Sequence, residues 1–182
     1  MIEYKPGDTL LLPKDKALGP YTWIKNQFGK KVADFLAAVE HHNYIHAELC
    51  VGNGYTLAAW ENGVHLVSYP LHVLKNFHVY RPIDTPKTFE TCVIQQVKNY
   101  FNKPYDFVSL ILNGIPEILS LGMEPLERFF ESKLPYDNPE AMICSELVAR
   151  IYERCGVTIE PRPEFVTPDD LAEHLVRIWP KV

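Results

Sequence analysis

Gly52-Asn53-Gly54 constrains this chain more than any other stretch, because it joins two runs of strand-forming residues through a loop that can only turn. Residues 44–51 read Tyr-Ile-His-Ala-Glu-Leu-Cys-Val and residues 55–60 read Tyr-Thr-Leu-Ala-Ala-Trp. Three intervening residues that tolerate positive φ make this a strong β-hairpin signal. Successive side chains of a strand point to opposite faces, so His46, Glu48 and Cys50 share one face while Ala47 and Leu49 share the other. If Val51 pairs with Tyr55, then Cys50 faces Thr56, Glu48 faces Ala58 and His46 faces Trp60.

More strands flank the hairpin. The turn signal Pro6-Gly7-Asp8 precedes a short buried strand at 9–12, and 64–69 with 77–80 complete a mainly antiparallel sheet, 70–76 being a connecting segment. Apolar residues at three- and four-residue steps predict one broken or two short helices over 21–40. Thr85 as N-cap and Pro86 at the first helical position predict a helix striped by Phe89, Val93, Val97 and Phe101 that ends before Pro104. The apolar stretch 107–121 is interrupted by Asn113, Gly114, Pro116 and Glu117 and falls short of the roughly twenty residues a bilayer span needs, so it reads as one or two buried helices. A further short helix is expected over 123–134. Thr167-Pro168-Asp169-Asp170 opens a capped helix. The expected class is α+β, a small antiparallel sheet packed against helices.

With 182 residues, 47% of them hydrophobic and 23% charged, the chain can bury a sizeable core and is expected to form one domain over 1–182. A formal net charge of −5 and scattered Lys and Arg give no basic stripe, so nucleic acid is not an expected partner. The first eight residues have neither a basic start nor an apolar run, which reads as no secretory signal and a cytoplasmic location. Cys50, Cys92, Cys144 and Cys155 show no paired spacing, which speaks against a zinc knuckle or a disulfide scaffold. All four are expected as thiols, with Cys92 and Cys155 packing inside helices.

The chemistry gathers on one of these thiols. Leu147, Val148, Ile151, Tyr152 and Cys155 recur at helical spacing and Gly156 follows as a stop, predicting a helix from about Cys144 to Cys155. Cys144 then sits at the helix amino end, where unpaired backbone N–H groups and the positive end of the dipole favour a thiolate. A lone Cys before an amphipathic helix is often only a packing residue, but His46 on the hairpin can take and return its proton, and Glu48 beside it can hold the imidazole. Tyr105 is a candidate substrate-binding residue, donating its hydroxyl to an oxyanion alongside the Cys144 N–H. His41, His42 and His46 do not complete a metal set, so no metal or other cofactor is expected.

These motifs, in this order, resemble the permuted papain-like cysteine amidases and peptidases, the YiiX and YebB branch of the NlpC superfamily. Pro6-Gly7-Asp8-Thr9-Leu10-Leu11 is similar to the family's opening strand, and His46 with Val51-Gly52-Asn53-Gly54 to its histidine hairpin. Asn62-Gly63-Val64 followed by Pro70-Leu71 is similar to the segment after it. Lys103-Pro104-Tyr105-Asp106 resembles a Tyr-Asp element ahead of the nucleophile, Ile143-Cys144-Ser145-Glu146-Leu147-Val148 the family's most distinctive motif, and Thr167-Pro168-Asp169-Asp170-Leu171 its closing one. The resemblance implies a circularly permuted papain-like fold, with the histidine strand before the cysteine helix, and hydrolysis of an amide in a small peptide or acyl-amide substrate, cell-wall peptides included. In the family a third catalytic acid usually stands on the second hairpin strand, where this chain has Ala58. The register puts Glu48 opposite Ala58, so Glu48 can take that role from the neighbouring strand, and Glu61 is the runner-up. Two other functions stay open: an acyltransferase or lipid hydrolase related to lecithin retinol acyltransferase, suggested by the apolar 107–121 stretch, and a noncatalytic binding module, suggested by Ala58.

Overall fold

Every residue of strand β1 (Thr9–Pro13) is buried, a state a strand reaches when both faces of its sheet are covered. The computed structural model describes residues 4–17, 43–60, 62–106 and 142–180, and within them β1 lies inside a six-stranded antiparallel sheet of order β4-β3-β2-β1-β5-β6. The other strands are β2 (Tyr44–Gly52), β3 (Tyr55–Trp60), β4 (Gly63–Ser68), β5 (His78–Arg81) and β6 (Val176–Trp179). The helices are α1 (Lys14–Ala17), α2 (Leu71–Leu74), α3 (Phe89–Tyr100), α4 (Cys144–Arg154) and α5 (Pro168–His174), with a 3₁₀ turn at Pro163–Phe165. The architecture is mixed α+β, as the hydrophobic patterning requires.

Two cores sandwich the sheet. On one face Leu11, Tyr44, Ala47, Leu49, Leu57 and Ala59 pack with Leu147, Val148, Ile151 and Tyr152 of α4 and with Phe89 and Val93 of α3. On the other, Leu10, Leu12, Ile45, Cys50, Ala58 and Trp60 pack with Val73, Phe77 and Val79. Tyr152 pins α4 to the sheet, donating to the Gly7 carbonyl at 2.6 Å and accepting from Thr9 Oγ1 at 2.7 Å. Gly7 has φ +91°, and a Cβ there would fall 2.2 Å from the Phe89 ring, so only glycine fits at this junction. Gly63 is held similarly: φ is +110°, and the Lys103 carbonyl oxygen lies 2.7 Å from where a Cβ would stand.

The hairpin register follows the alternation for Glu48↔Ala58, Leu49↔Leu57 and Cys50↔Thr56. It then shifts, because Gly52 rather than Val51 opposes Tyr55 and Val51 becomes a bulge residue. At its other end the β2–β3 ladder stops at Glu48↔Ala58, although β3 continues to Trp60 in pairing with Gly63 of β4. A second irregularity separates Leu12↔His46 from Pro13↔Tyr44, so Tyr44 joins the α4 side while Ile45 joins the other.

Several expectations need correction. The sheet does not finish at 77–80, because β6 pairs antiparallel with β5. Helix α3 begins at Phe89 with Thr88 at the N-cap, not at Thr85; residues 85–88 form a turn in which the Phe89 N–H bonds the Pro86 carbonyl at 2.9 Å. The connecting segment 70–76 contains the single helical turn α2. Cys92 and Cys155 are not thiols but a disulfide, with Cα atoms 5.7 Å apart across a sequence separation of 63. Helical periodicity says which side of each helix a cysteine occupies, and only the packing of α3 on the end of α4 brings the two within bonding distance. The expected helices over 21–40, 107–121 and 123–134 lie outside the described residues. Among the described residues, no helix is long and apolar enough to cross a membrane.

Candidate active site

Cys144 is the first residue of α4, and the N-cap residue Ile143 offers no side-chain acceptor to the N–H groups of the first turn. Those donors are consequently available to whatever anion sits there. The Cys144 sulfur accepts from the Ser145 N–H and also from the Ala47 N–H of β2. Ala47 lies one residue beyond the last β2–β3 pair. The parting of the two strands thus exposes a backbone donor, and the thiol of a helix packed on one face of the sheet reaches the histidine of the other through that opening.

His46 is completely buried and hydrogen-bonds the Cys144 side chain. Its Nε2 donates to Glu48 Oε1 at 3.2 Å. Burial alone would lower the imidazole pKa, but the charge of Cys144, with its hydrogen bond and that of Glu48, more than reverses this and pushes it up to about 9. For Cys144, burial raises the thiol pKa, while the imidazolium and the two backbone N–H groups bring it below the ordinary thiol value. Each partner thus favours the charged form of the other, thiolate and imidazolium, the form in which cysteine is nucleophilic and histidine is a ready acid.

Glu48 is itself fully buried and satisfied on both oxygens. Oε1 accepts from the Tyr69 hydroxyl at 2.6 Å in addition to His46, and Oε2 accepts from Thr56 Oγ1 at 2.6 Å. The Trp60 ring stacks on the imidazole at a centroid distance of 4.1 Å and a tilt of 31°. The alternation of the hairpin placed Thr56 and Trp60 on this face. Tyr69 follows the end of β4, and no local pattern connects it to Glu48. Glu61 lies outside the described residues.

Tyr105 is zipped to the residues before the nucleophile: it bridges Met142, with Met142 N–H on the Pro104 carbonyl at 3.0 Å and Asp106 N–H on the Met142 carbonyl at 3.1 Å. Its phenol is held well above its usual pKa by burial, then by the charges of Cys144 and Asp106, so a neutral O–H donor stands beside the thiolate. The other residues of the motif position the helix. Ser145 Oγ donates to the Val166 carbonyl at 2.6 Å, and Glu146 accepts from Arg150 at 2.7 Å and from the Ile143 N–H at 3.4 Å. Burial pushes the Glu146 carboxyl up to about 7 against those donors. In the closing motif, Thr167 caps α5 through Asp170, and Asp169 accepts the Asn43 N–H at 2.8 Å.

Cys50 shares the buried face of Glu48 but is a different kind of thiol, pushed far above the ordinary range by burial and by the charges of Asp8 and Glu48. Among the described residues no group of three or more His, Cys, Asp or Glu side chains is placed to hold a metal ion, and His41 and His42 lie outside them. Compared with protein-family models the chain matches none, and it matches no curated protein sequence.

Proposed function

We propose that this chain is a cysteine hydrolase that cleaves an amide through a thioester, on a circularly permuted papain-like fold of the NlpC type. The observation that carries the reading is the buried, hydrogen-bonded Cys144–His46 pair at the start of α4, backed by a carboxylate on the same strand as the histidine. The Cys144 thiolate attacks the carbonyl carbon and an S–C bond forms, the displaced electron pair resting on the oxygen beside the Cys144 N–H and the Tyr105 hydroxyl. His46 delivers a proton to the leaving nitrogen as the C–N bond breaks. Neutral His46 then takes a proton from water, the hydroxide adds to the thioester, and S–C cleavage releases the acid and restores thiolate and imidazolium. Glu48 keeps the imidazole oriented and stabilises its cation, the role that Ala58 leaves vacant on β3.

The proposed substrates are small peptide or acyl amides, including cell-wall-type peptides. The cytoplasm is the proposed location, although the Cys92–Cys155 disulfide argues for an oxidising compartment, and the redox state of that pair in the cells that make the protein decides between them. The test is turnover of a panel of peptide amides, acyl amides and lipid esters by wild type and Cys144→Ala. Cleavage of amides that Cys144→Ala abolishes is expected. Faster cleavage of lipid esters would move the reading to an acyltransferase, and no covalent adduct with thiol-directed probes would leave a binding module.

A further inference from the structure

Trp60 touches the proposed base, yet it has no part in the reaction as written above. The register that sets Cys50 opposite Thr56 and Glu48 opposite Ala58, extended by one more pair on the same face, sets His46 opposite Trp60. The β2–β3 ladder ends before that pair, and β3 goes on to Trp60 by pairing with Gly63 of β4. Gly63 brings no side chain to that face, and the indole lies against the imidazole of β2 instead. Two strands that have parted as backbones are still joined there by a pair of rings.

The contact is closer to face-to-face than to edge-on. Its ring centroids are 4.1 Å apart with a tilt of 31°, whereas Tyr44–His78 and Phe89–Tyr152 meet edge-on at 5.5 Å. The face of an indole is negative, so this geometry attracts the imidazole more strongly when the imidazole carries its proton. Both rings are shut off from water, His46 being 0% and Trp60 4% exposed, and the attraction is little screened. Trp60 is itself held in the apolar cluster of Ile45, Ala58, Val73 and Phe77. Hydrogen bonds at ring nitrogens act within the ring plane, and the one to Glu48 is long at 3.2 Å, so a contact on the ring face restrains what those bonds do not.

We propose that Trp60 is a positioning residue for His46: its indole face keeps the imidazole in the plane that meets Cys144 and Glu48 together, and it favours the ring with its proton on. This role rests on the reading of Cys144 and His46 as a reacting pair, but it concerns the state of the ring and is tested without a substrate. Among the described residues, the charged and titratable groups around the imidazole are Cys144 of α4 and Glu48 of β2, with Tyr105 beside the first and Tyr69 on the second. None of them is altered by a change at Trp60. A side chain that only filled space would be replaced equally well by Phe or Leu, whereas a ring face that holds a cation grades in the order Trp, Phe, Leu.

His46 is titrated by NMR on the full chain with ring-labelled histidine, its signal assigned with His46→Gln. In the wild type the proton leaves at a pH of about 9. Trp60→Leu should lower that midpoint by about one pH unit, and Trp60→Phe by about half as much. A protonated imidazole quenches an indole it touches, so wild-type fluorescence should rise as the pH passes through the His46 midpoint. That step should be missing from Trp60→Phe, which keeps the other two tryptophans. On an amide that the wild type cleaves, Trp60→Leu should cost about tenfold in kcat with KM little changed, and the alkaline limb should move with the NMR midpoint. Should Trp60→Leu fail to fold, Trp60→Phe and the wild-type emission step decide. An unmoved midpoint in a folded Trp60→Leu, with or without loss of turnover, would overturn the proposal, as would wild-type emission flat through the midpoint. A shifted midpoint in a protein that cleaves no amide would sustain the hold of Trp60 on His46 and remove the hydrolase reading alone.

Discussion

Cys50 and Cys144 are both buried free thiols, yet their surroundings drive them in opposite directions. Cys50 is 4% exposed and Cys144 is 7% exposed, so burial cannot separate them. Cys50 meets Asp8 and Glu48, whose negative charge adds to the cost of ionising a buried group, and Arg81 offsets only part of that. Cys144 meets an imidazolium and two backbone N–H groups, and its pKa falls. His46 and His78 repeat the contrast among the imidazoles: burial lowers both pKa values, but Cys144 and Glu48 more than reverse this at fully buried His46, whereas Arg177 adds to it at half-buried His78. Burial disfavours the charged form of all four groups, and the sign of the partners decides whether that is reinforced or reversed.

The contrast between the thiols can be broken most directly at Cys144. In the native protein iodoacetamide near neutral pH should alkylate Cys144 alone, with Cys50 labelled only after denaturation, as read by peptide mass spectrometry. Cys144→Ala should bring amide turnover to background; native-state labelling of Cys50 at a comparable rate would erase the distinction.

Removing the partner should make Cys144 resemble Cys50. His46→Ala is expected to lower turnover by roughly 10²- to 10⁴-fold and to raise the pH at which Cys144 alkylates. In the wild type, turnover should fall as pH rises through about 9, where His46 loses the proton it gives to the leaving group, while alkylation should persist because the thiolate remains. The stability contributed by that raised imidazole pKa is complete below its unfolded value of about 6.5 and disappears as pH climbs through about 9, which thermal melts across that range measure. A turnover profile flat through pH 9 would remove His46 from the proton path.

Smaller effects sharpen the contrast behind the histidine. Glu48→Gln should lower turnover about a hundredfold with the fold intact, since a misoriented base transfers protons poorly, and Glu48→Ala with Ala58→Glu should recover part of the loss. If Glu61→Gln is the more damaging change, the orienting acid is Glu61. Tyr69→Phe removes one hydroxyl from the Glu48 carboxylate and should cost about tenfold in kcat, with the alkaline limb of the pH profile moved and KM little changed.

Much of this arrangement is visible in local chemistry. Glu48 opposite Ala58 follows from a short loop and the two-residue period of a strand, and both survive tertiary packing because one face of each strand is buried. Cys144 at a helix start follows from the apolar spacing after it, and the Thr167 cap from its own side chain and that of Asp170.

What local pattern could not supply are contacts between segments far apart in the chain. The Cys92–Cys155 disulfide needs α3 laid against the end of α4, and β6 becomes a strand only because β5 presents an edge to it. Tyr69 reaches Glu48 from beyond β4. The irregularity at Leu12/Pro13 sends Tyr44 and His46, which strict alternation would put on one face, to opposite sides of the sheet. Alternation is a property of a single strand, so sequence alone placed His46 beside Glu48; where β2 parts from β3 and slips against β1 is set by the helices packed on the sheet, and that decided which thiol His46 would meet.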